Sequence, residues 1–153
     1  MPTHAEQKLL PYTPDQLFDL VADVEKYPEF LPWCPACRIT RREKDAATGA
    51  DVIYADLVIG YKIFREKFTS KVQLTRPDTI TVEYLQGPMK SLTNHWRFIP
   101  DQKTGGTVID FYVDFEFRNP LLQQVMTLFF TEAVRRMVGA FEARAAALYG
   151  KKP

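Results

Sequence analysis

The 153-residue chain has no apolar run near 18 residues, so no stretch of it reads as a membrane-spanning helix. Its start, MPTHAEQKLL, lacks the apolar core of a secretory signal. Only two cysteines are present, and without an export signal they fit a reducing interior, so a cytoplasmic protein is expected. Neither sign of charge is in excess: 20 basic residues stand against 19 acidic ones, for a net charge of +1. A dedicated nucleic-acid binder usually concentrates basic charge, so DNA is not an expected partner. The chain lacks a P-loop, a G-x-S-x-G elbow and a dinucleotide fingerprint. No catalytic residues, metal ligands or cofactor are therefore assigned. There are no repeats and no low-complexity segment. What remains is the composition of an ordinary globular protein, 46% hydrophobic and 25% charged, at a length that suits one domain spanning 1–153.

The pattern is organised around one stretch near the end of the chain, Asn119 to Tyr149. Asn119 suits an N-cap and Pro120 the first helical position. Leu122, Val125, Met126, Phe129, Phe130, Ala133, Met137, Val138, Phe141 and Leu148 recur at steps of three and four. They form a broad apolar stripe on a helix about 45 Å long. Gly150 followed by two lysines is a reasonable stop. Near the other end, Thr13-Pro14-Asp15-Gln16 reads as a capping box that opens a helix of about ten residues. The segment Tyr27 to Trp33 is aromatic and holds two prolines, which limits it to a short helical turn or a rigid loop.

From Arg38 to Phe117 the period changes to two. Six strands with short connections are expected there, and Thr3 to Leu10 makes a weaker case for an edge strand. Short connections favour antiparallel neighbours. The expected fold class is α+β: a curved antiparallel sheet wrapped around one long C-terminal helix.

Such a sheet and helix enclose a space that side chains need not fill. The inward positions are rich in aromatics: Phe64, Phe68, Tyr84, Trp96, Phe98, Phe111 and Phe115, with Phe129, Phe130 and Phe141 from the helix. They either fill a core or line a pocket for a flat or polyprenyl apolar ligand. Val125, Met126 and Met137 join the ligand-facing set from the helix. Glu66, Ser70 and Asn94 are polar at inward parity and so need partners, either within the protein or in a ligand headgroup. Tyr27, Phe30, Leu31 and Trp33 are candidates for a lid or a membrane contact.

Cys34-Pro35-Ala36-Cys37 has the C-x-x-C spacing of a redox pair. That chemistry needs the first cysteine at a helix N-terminus after a strand. Here the pair follows a proline-rich turn and precedes a strand, so the order is wrong. A zinc site would need two more ligands, and only His4 and His95 remain.

The segment Tyr27-Pro28-Glu29-Phe30-Leu31-Pro32-Trp33-Cys34, the strand Phe64-x-Glu66-x-Phe68-x-Ser70-x-Val72, the triplet Trp96-Arg97-Phe98 and the long terminal helix together resemble the coenzyme Q-binding family. That family lies in the START, or polyketide cyclase/dehydrase-like, superfamily with its helix-grip fold. The resemblance covers nearly the whole chain, and its most specific part is the Tyr27–Cys34 segment. It implies a hydrophobic cavity between sheet and terminal helix. It also implies non-enzymatic binding of ubiquinone or a related polyprenyl lipid, in support of respiration and quinone biosynthesis. Cys34 then belongs to the family segment and Cys37 is an accidental neighbour. A bacterial branch resembles a ribosome-association toxin that blocks subunit joining, and a shared fold does not separate the branches.

Three readings follow. The first is a carrier whose ligand ring lies near Glu66 and Asn94, loaded by peripheral contact at the inner membrane. The second is a ribosome-associated regulator that uses the basic run Arg38, Arg41, Arg42 and Lys44. The third is a cyclase or hydrolase in the same cavity, with Glu66 as its acid or base.

Overall fold

Both helices begin at the residues whose side chains can cap them. In the computed structural model, which describes residues 3–61 and 64–150 but not the side chains of Tyr61, Phe64 and Phe129, helix α1 spans Pro14–Ala22. Thr13 Oγ1 accepts from the Gln16 N–H at 3.2 Å and Gln16 Oε1 accepts from the Thr13 N–H at 3.0 Å. This reciprocal pair satisfies two of the backbone donors that a helix start leaves free. Helix α2 spans Pro120–Tyr149, and Asn119 Oδ1 accepts from the N–H groups of Leu121 and Leu122. Gly150 ends it at a positive φ of 86°.

Seven strands form one antiparallel sheet: β1 (Thr3–Leu10), β2 (Ala36–Lys44), β3 (Asp51–Tyr61), β4 (Phe64–Thr75), β5 (Thr79–Gln86), β6 (Met89–Pro100) and β7 (Thr107–Phe117). Their order is β1-β7-β6-β5-β4-β3-β2. Strands β2 to β7 are thus a simple meander, as their short connections require. Strand β1 adds to β7 at the far edge. The chain must then cross from that edge to the opposite one before β2. Helix α1 and a 3₁₀ helix, Val24–Glu29, make the crossing.

Register shifts between Ile39 and Arg41, between Thr69 and Ser70, and between Met89 and Ser91 interrupt the ladders. An extra residue on one strand bends it and increases its twist, so shifts at these points help curl the sheet. Gly87 allows the β5–β6 turn to close: a Cβ there would lie 2.6 Å from Cβ of Phe68.

Helix α2 lies over the sheet and buries Leu122, Phe130, Val134, Phe141 and Ala145. The sequence reading of its stripe needs one correction. Leu148 is half exposed, while Val134 and Ala145, which the reading passed over, are buried. The last turn faces α1, not the sheet, and this moves the contact line to Tyr149. The Tyr149 hydroxyl donates to the Gln16 carbonyl at 2.9 Å, and the Tyr12 hydroxyl donates to the Gly150 carbonyl at 3.1 Å. The C-terminal end of α2 is therefore tied to the α1 end of the domain. On the inner side of α1, Leu17 and Phe18 are fully buried, and the Phe18 ring meets Phe98 edge-on at 5.8 Å.

Candidate functional site

Between sheet and helix lies a cavity of about 450 Å³. Its sheet wall is built from inward positions of five strands, among them Leu57, Phe68, Val72, Ile80, Trp96, Phe111 and Phe115. Helix α2 supplies Met126, Phe130, Ala133, Val134, Met137 and Phe141. Val21, Val24 and Tyr27 contribute from the crossing helices, and Leu31, Pro32, Trp33 and Cys34 from the loop that follows them. The period-two alternation of each strand and the three-four spacing of α2 bring these side chains to one place.

The size of this space decides between core and pocket. The space is open to solvent on one side, so it is a pocket and not a sealed packing defect, and its volume lies within the usual range for small-molecule sites.

The polar groups in the wall are few. The Asn94 amide donates to the Tyr112 carbonyl at 2.9 Å, and the Trp96 indole N–H reaches Asn94 Oδ1 at 3.3 Å. Tyr27 donates its hydroxyl to the Val21 carbonyl, and burial holds its phenol well above its ordinary pKa. Ser70 is 1% exposed, and its hydroxyl has no hydrogen-bond partner among the described residues. The charged lining residues among those described are Glu132 and Arg136, which pair with each other at 3.0 Å.

Several expected positions fall elsewhere. Glu66 is exposed, although it shares the parity of Phe68 and Ser70. Strand β5 stops pairing with β4 at Thr69, so the β3–β4 hairpin projects past its neighbour. An inward side chain there has no layer above it. The expectation of a ring near Glu66, and of Glu66 as a buried acid or base, is corrected accordingly. Asn94 does line the cavity, but its hydrogen bonds are made within the protein. Tyr84 is not in the wall: its hydroxyl accepts from the Met89 N–H at 3.0 Å and its ring lies beside Phe68. Val125 is half-buried on α2 outside the lining. Phe30 lies behind the wall, edge-on to Tyr27 at 5.9 Å and to Phe141 at 5.4 Å. The expectations for the Phe64 and Phe129 side chains lie outside the described residues.

The segment after the 3₁₀ helix is held at several points. Arg144 on α2 lies 5.2 Å over the Phe30 ring and 3.2 Å from Glu29. Lys26, and after it Arg144, holds the Glu29 carboxyl below the usual carboxylate range. Gly60 on β3 donates its N–H to the Trp33 carbonyl at 2.9 Å. Trp33 itself has φ 62°, a left-handed conformation that is costly for a bulky residue.

The two cysteines do not form an activated pair. Burial pushes the Cys34 thiol up to about 11. Cys37 is pushed up to about 12, by burial first and then by Cys34, Glu25 and Asp56. Redox catalysis needs the opposite shift. Among the described residues, no group of three or more His, Cys, Asp or Glu side chains is arranged to hold a metal ion. No helix among them is long and apolar enough to cross a membrane.

Comparison with known proteins agrees on family and fold. A family model described as polyketide cyclase / dehydrase and lipid transport matches residues 10–142. The ribosome association toxin RatA of Rickettsia prowazekii is 37% identical over 142 residues, which cover 90% of this chain and 92% of that protein. The mitochondrial coenzyme Q-binding protein COQ10 homolog B of Xenopus laevis is 31% identical over 152 residues, 97% of this chain and 60% of the relative. An 18 kDa protein of Caulobacter crescentus, solved in solution, superposes with a TM-score of 0.79 at 38% identity, covering 99% of this chain and 100% of its own. A START superfamily protein of Mycobacterium smegmatis has the same fold, with a TM-score of 0.77 at 17% identity over 95% of this chain and 98% of its own.

Proposed function

The chain belongs to the polyketide cyclase / dehydrase and lipid-transport family with its START-like fold, and from that premise we propose that it binds ubiquinone or a related polyprenyl lipid without chemically changing it. The observation that carries this reading is the apolar cavity of about 450 Å³ between sheet and α2. A space of that size takes a drug-sized body. It takes a substituted ring and the first part of a polyprenyl tail, and the rest of a long tail leaves by the mouth. Leu31, Pro32, Trp33, Ala133 and Met137, lining residues that are all partly exposed, would serve the tail as an apolar exit. The name of the Xenopus relative supports coenzyme Q as the ligand. Support of respiration and quinone biosynthesis, and peripheral contact with the inner membrane, are parts of the same proposal.

A cyclase reading has less support. Its one acid–base candidate, Glu66, is exposed. The charged residues of the described wall are paired with each other.

The test is mass spectrometry of an organic extract of protein purified without detergent, followed by uptake of decylubiquinone. We expect a polyprenyl quinone in fixed ratio to protein. We also expect Met126→Glu and Met137→Glu, both at half-exposed positions of the wall, to remain folded by circular dichroism while uptake falls at least tenfold, since a bound ligand would desolvate the charge. Folded variants that take up quinone as the wild type does would sink the proposal.

A second reading, a ribosome-associated regulator, is favoured by the name of the Rickettsia relative. The basic run on edge strand β2 is exposed, but Arg41 pairs with Glu43, Arg42 with Glu25 and Lys44 with Asp51. An empty extract with no quinone uptake, together with co-sedimentation with ribosomal subunits that is lost in an Arg41→Glu, Arg42→Glu protein, would favour this reading over the first.

A further inference from the structure

Resting on the ligand-binding reading above, we infer that Ser70 is the polar anchor of the cavity: its hydroxyl makes a single hydrogen bond to an uncharged oxygen of a ligand that enters ring first. Ser70 lies on β4 between Phe68 and Val72, which share its parity and line the same wall. It is 1% exposed, and its Oγ has no hydrogen-bond partner among the described residues. Leaving a buried hydroxyl unsatisfied has a substantial cost, and alanine would pack there without it. The other uncharged polar side chains of the wall each have a partner within the protein. Asn94 holds the Tyr112 carbonyl and the Trp96 indole, and Tyr27 holds the Val21 carbonyl. Among the described side chains of the wall Ser70 is thus the polar one with no partner in the protein, and since its Oγ is closed off in the empty protein, the side chains around it must shift for a ligand oxygen to reach it.

Charge defines the class of ligand. Among the described lining residues, the cation is Arg136, and Glu132 neutralises it at 3.0 Å. A carboxylate or phosphate brought to Ser70 would be desolvated with no counter-charge, which is far more costly than desolvating a neutral oxygen. A carbonyl, methoxy or hydroxyl group on a ring fits, and the ionised head of a fatty acid or phospholipid does not. Size sets the direction. A long polyprenyl tail exceeds 450 Å³, so the ring goes in and the tail trails out past Leu31 and Trp33.

The experiment measures binding by the delipidated full-length protein, wild type and Ser70→Ala, with three probes. These are decylubiquinone, decylbenzene (the same tail and a ring without oxygens) and palmitate. The expected result is a loss of about five- to tenfold in affinity for decylubiquinone in Ser70→Ala, the usual size of one hydrogen bond. Decylbenzene affinity stays within twofold, palmitate binds the wild type at least tenfold more weakly than decylubiquinone, and the empty variant melts no lower than the wild type. Ser70→Cys, with a weaker donor of similar size, falls between serine and alanine. Unchanged decylubiquinone affinity in Ser70→Ala, or an equal loss for both ring probes, would overturn the inference and leave the cavity reading standing. Wild-type protein that takes up neither ring probe would remove the cavity reading, and this inference with it.

Discussion

At the scale of single residues, the environment of each side chain decides what its chemistry can do. Cys34 and Cys37 have the spacing of a redox motif, yet burial raises both thiols, to about 11 and about 12. A thiol moved from 9.0 to about 11 has on the order of a hundredfold less thiolate at pH 8, and the thiolate is the species that reacts. Iodoacetamide should therefore label both cysteines at least tenfold more slowly in the folded protein than in denaturant. Fast labelling of either one in the folded state would reopen the redox reading. The sign of the pH effect follows from the same shifts. A raised folded-state pKa gives stability that is complete below the unfolded value near 9 and is lost as pH rises through the folded value. The cysteines should thus destabilise the fold between about pH 9 and 12, and a Cys34→Ser, Cys37→Ser protein should show a flatter loss there. Trp33 shows the same dependence on surroundings. The Gly60 hydrogen bond helps hold it in a backbone conformation that its side chain disfavours.

At the scale of elements, α2 divides into two parts. Its C-terminal half is tied down by the Tyr149 and Tyr12 hydroxyl bonds and by the Glu29–Arg144 contact. Its middle, from Met126 to Phe141, has the cavity beneath it, and its first turns carry Leu121 and Leu128 exposed, at 63% and 76%. Helix propensity and capping therefore matter most where packing contributes least. Two substitutions should act with opposite sign. Gly139 is exposed, and a Cβ there would meet nothing within 4 Å. Gly139→Ala should stabilise the protein by about 0.5–1 kcal/mol. Asn119→Ala removes the acceptor for two backbone N–H groups and should cost about 1 kcal/mol. Urea denaturation midpoints check both, and a shared sign would contradict this account of the helix.

At the scale of the molecule, the sheet, the crossing helices and α2 surround a space that the protein does not fill. A ligand that occupies it binds the folded state alone and stabilises that state by mass action. Decylubiquinone at about a hundred times its dissociation constant should add about 2.7 kcal/mol. For a chain of 153 residues that corresponds to a rise in melting temperature of roughly 5–10 °C. A thermal melt at increasing probe concentration measures the effect. A midpoint that stays constant while uptake is saturated would mean that the probe binds folded and unfolded chain alike, contrary to a structured cavity.

The amino-acid sequence by itself determined the elements and their partners in the chain. Capping at Thr13 and Asn119, the proline-rich Tyr27–Trp33 segment and the clean alternation of β7 are local facts, set by backbone geometry and spacing. Short connections then dictated the antiparallel meander. The tertiary structure alone decided which inward positions face a cavity. Glu66 and Ser70 share one strand face, yet one is exposed because β5 ends beside it and the other is buried because β3 and β5 flank it. Parity is a property of one strand, whereas burial depends on how far its neighbours extend. Val134 and Ala145 were hidden for a related reason: which side of a helix is covered depends on whether a sheet or another helix lies against each turn. Whether the aromatics leave an open space also depends on sheet curvature and on the height at which α2 is held, and both arise from contacts between residues far apart in the chain.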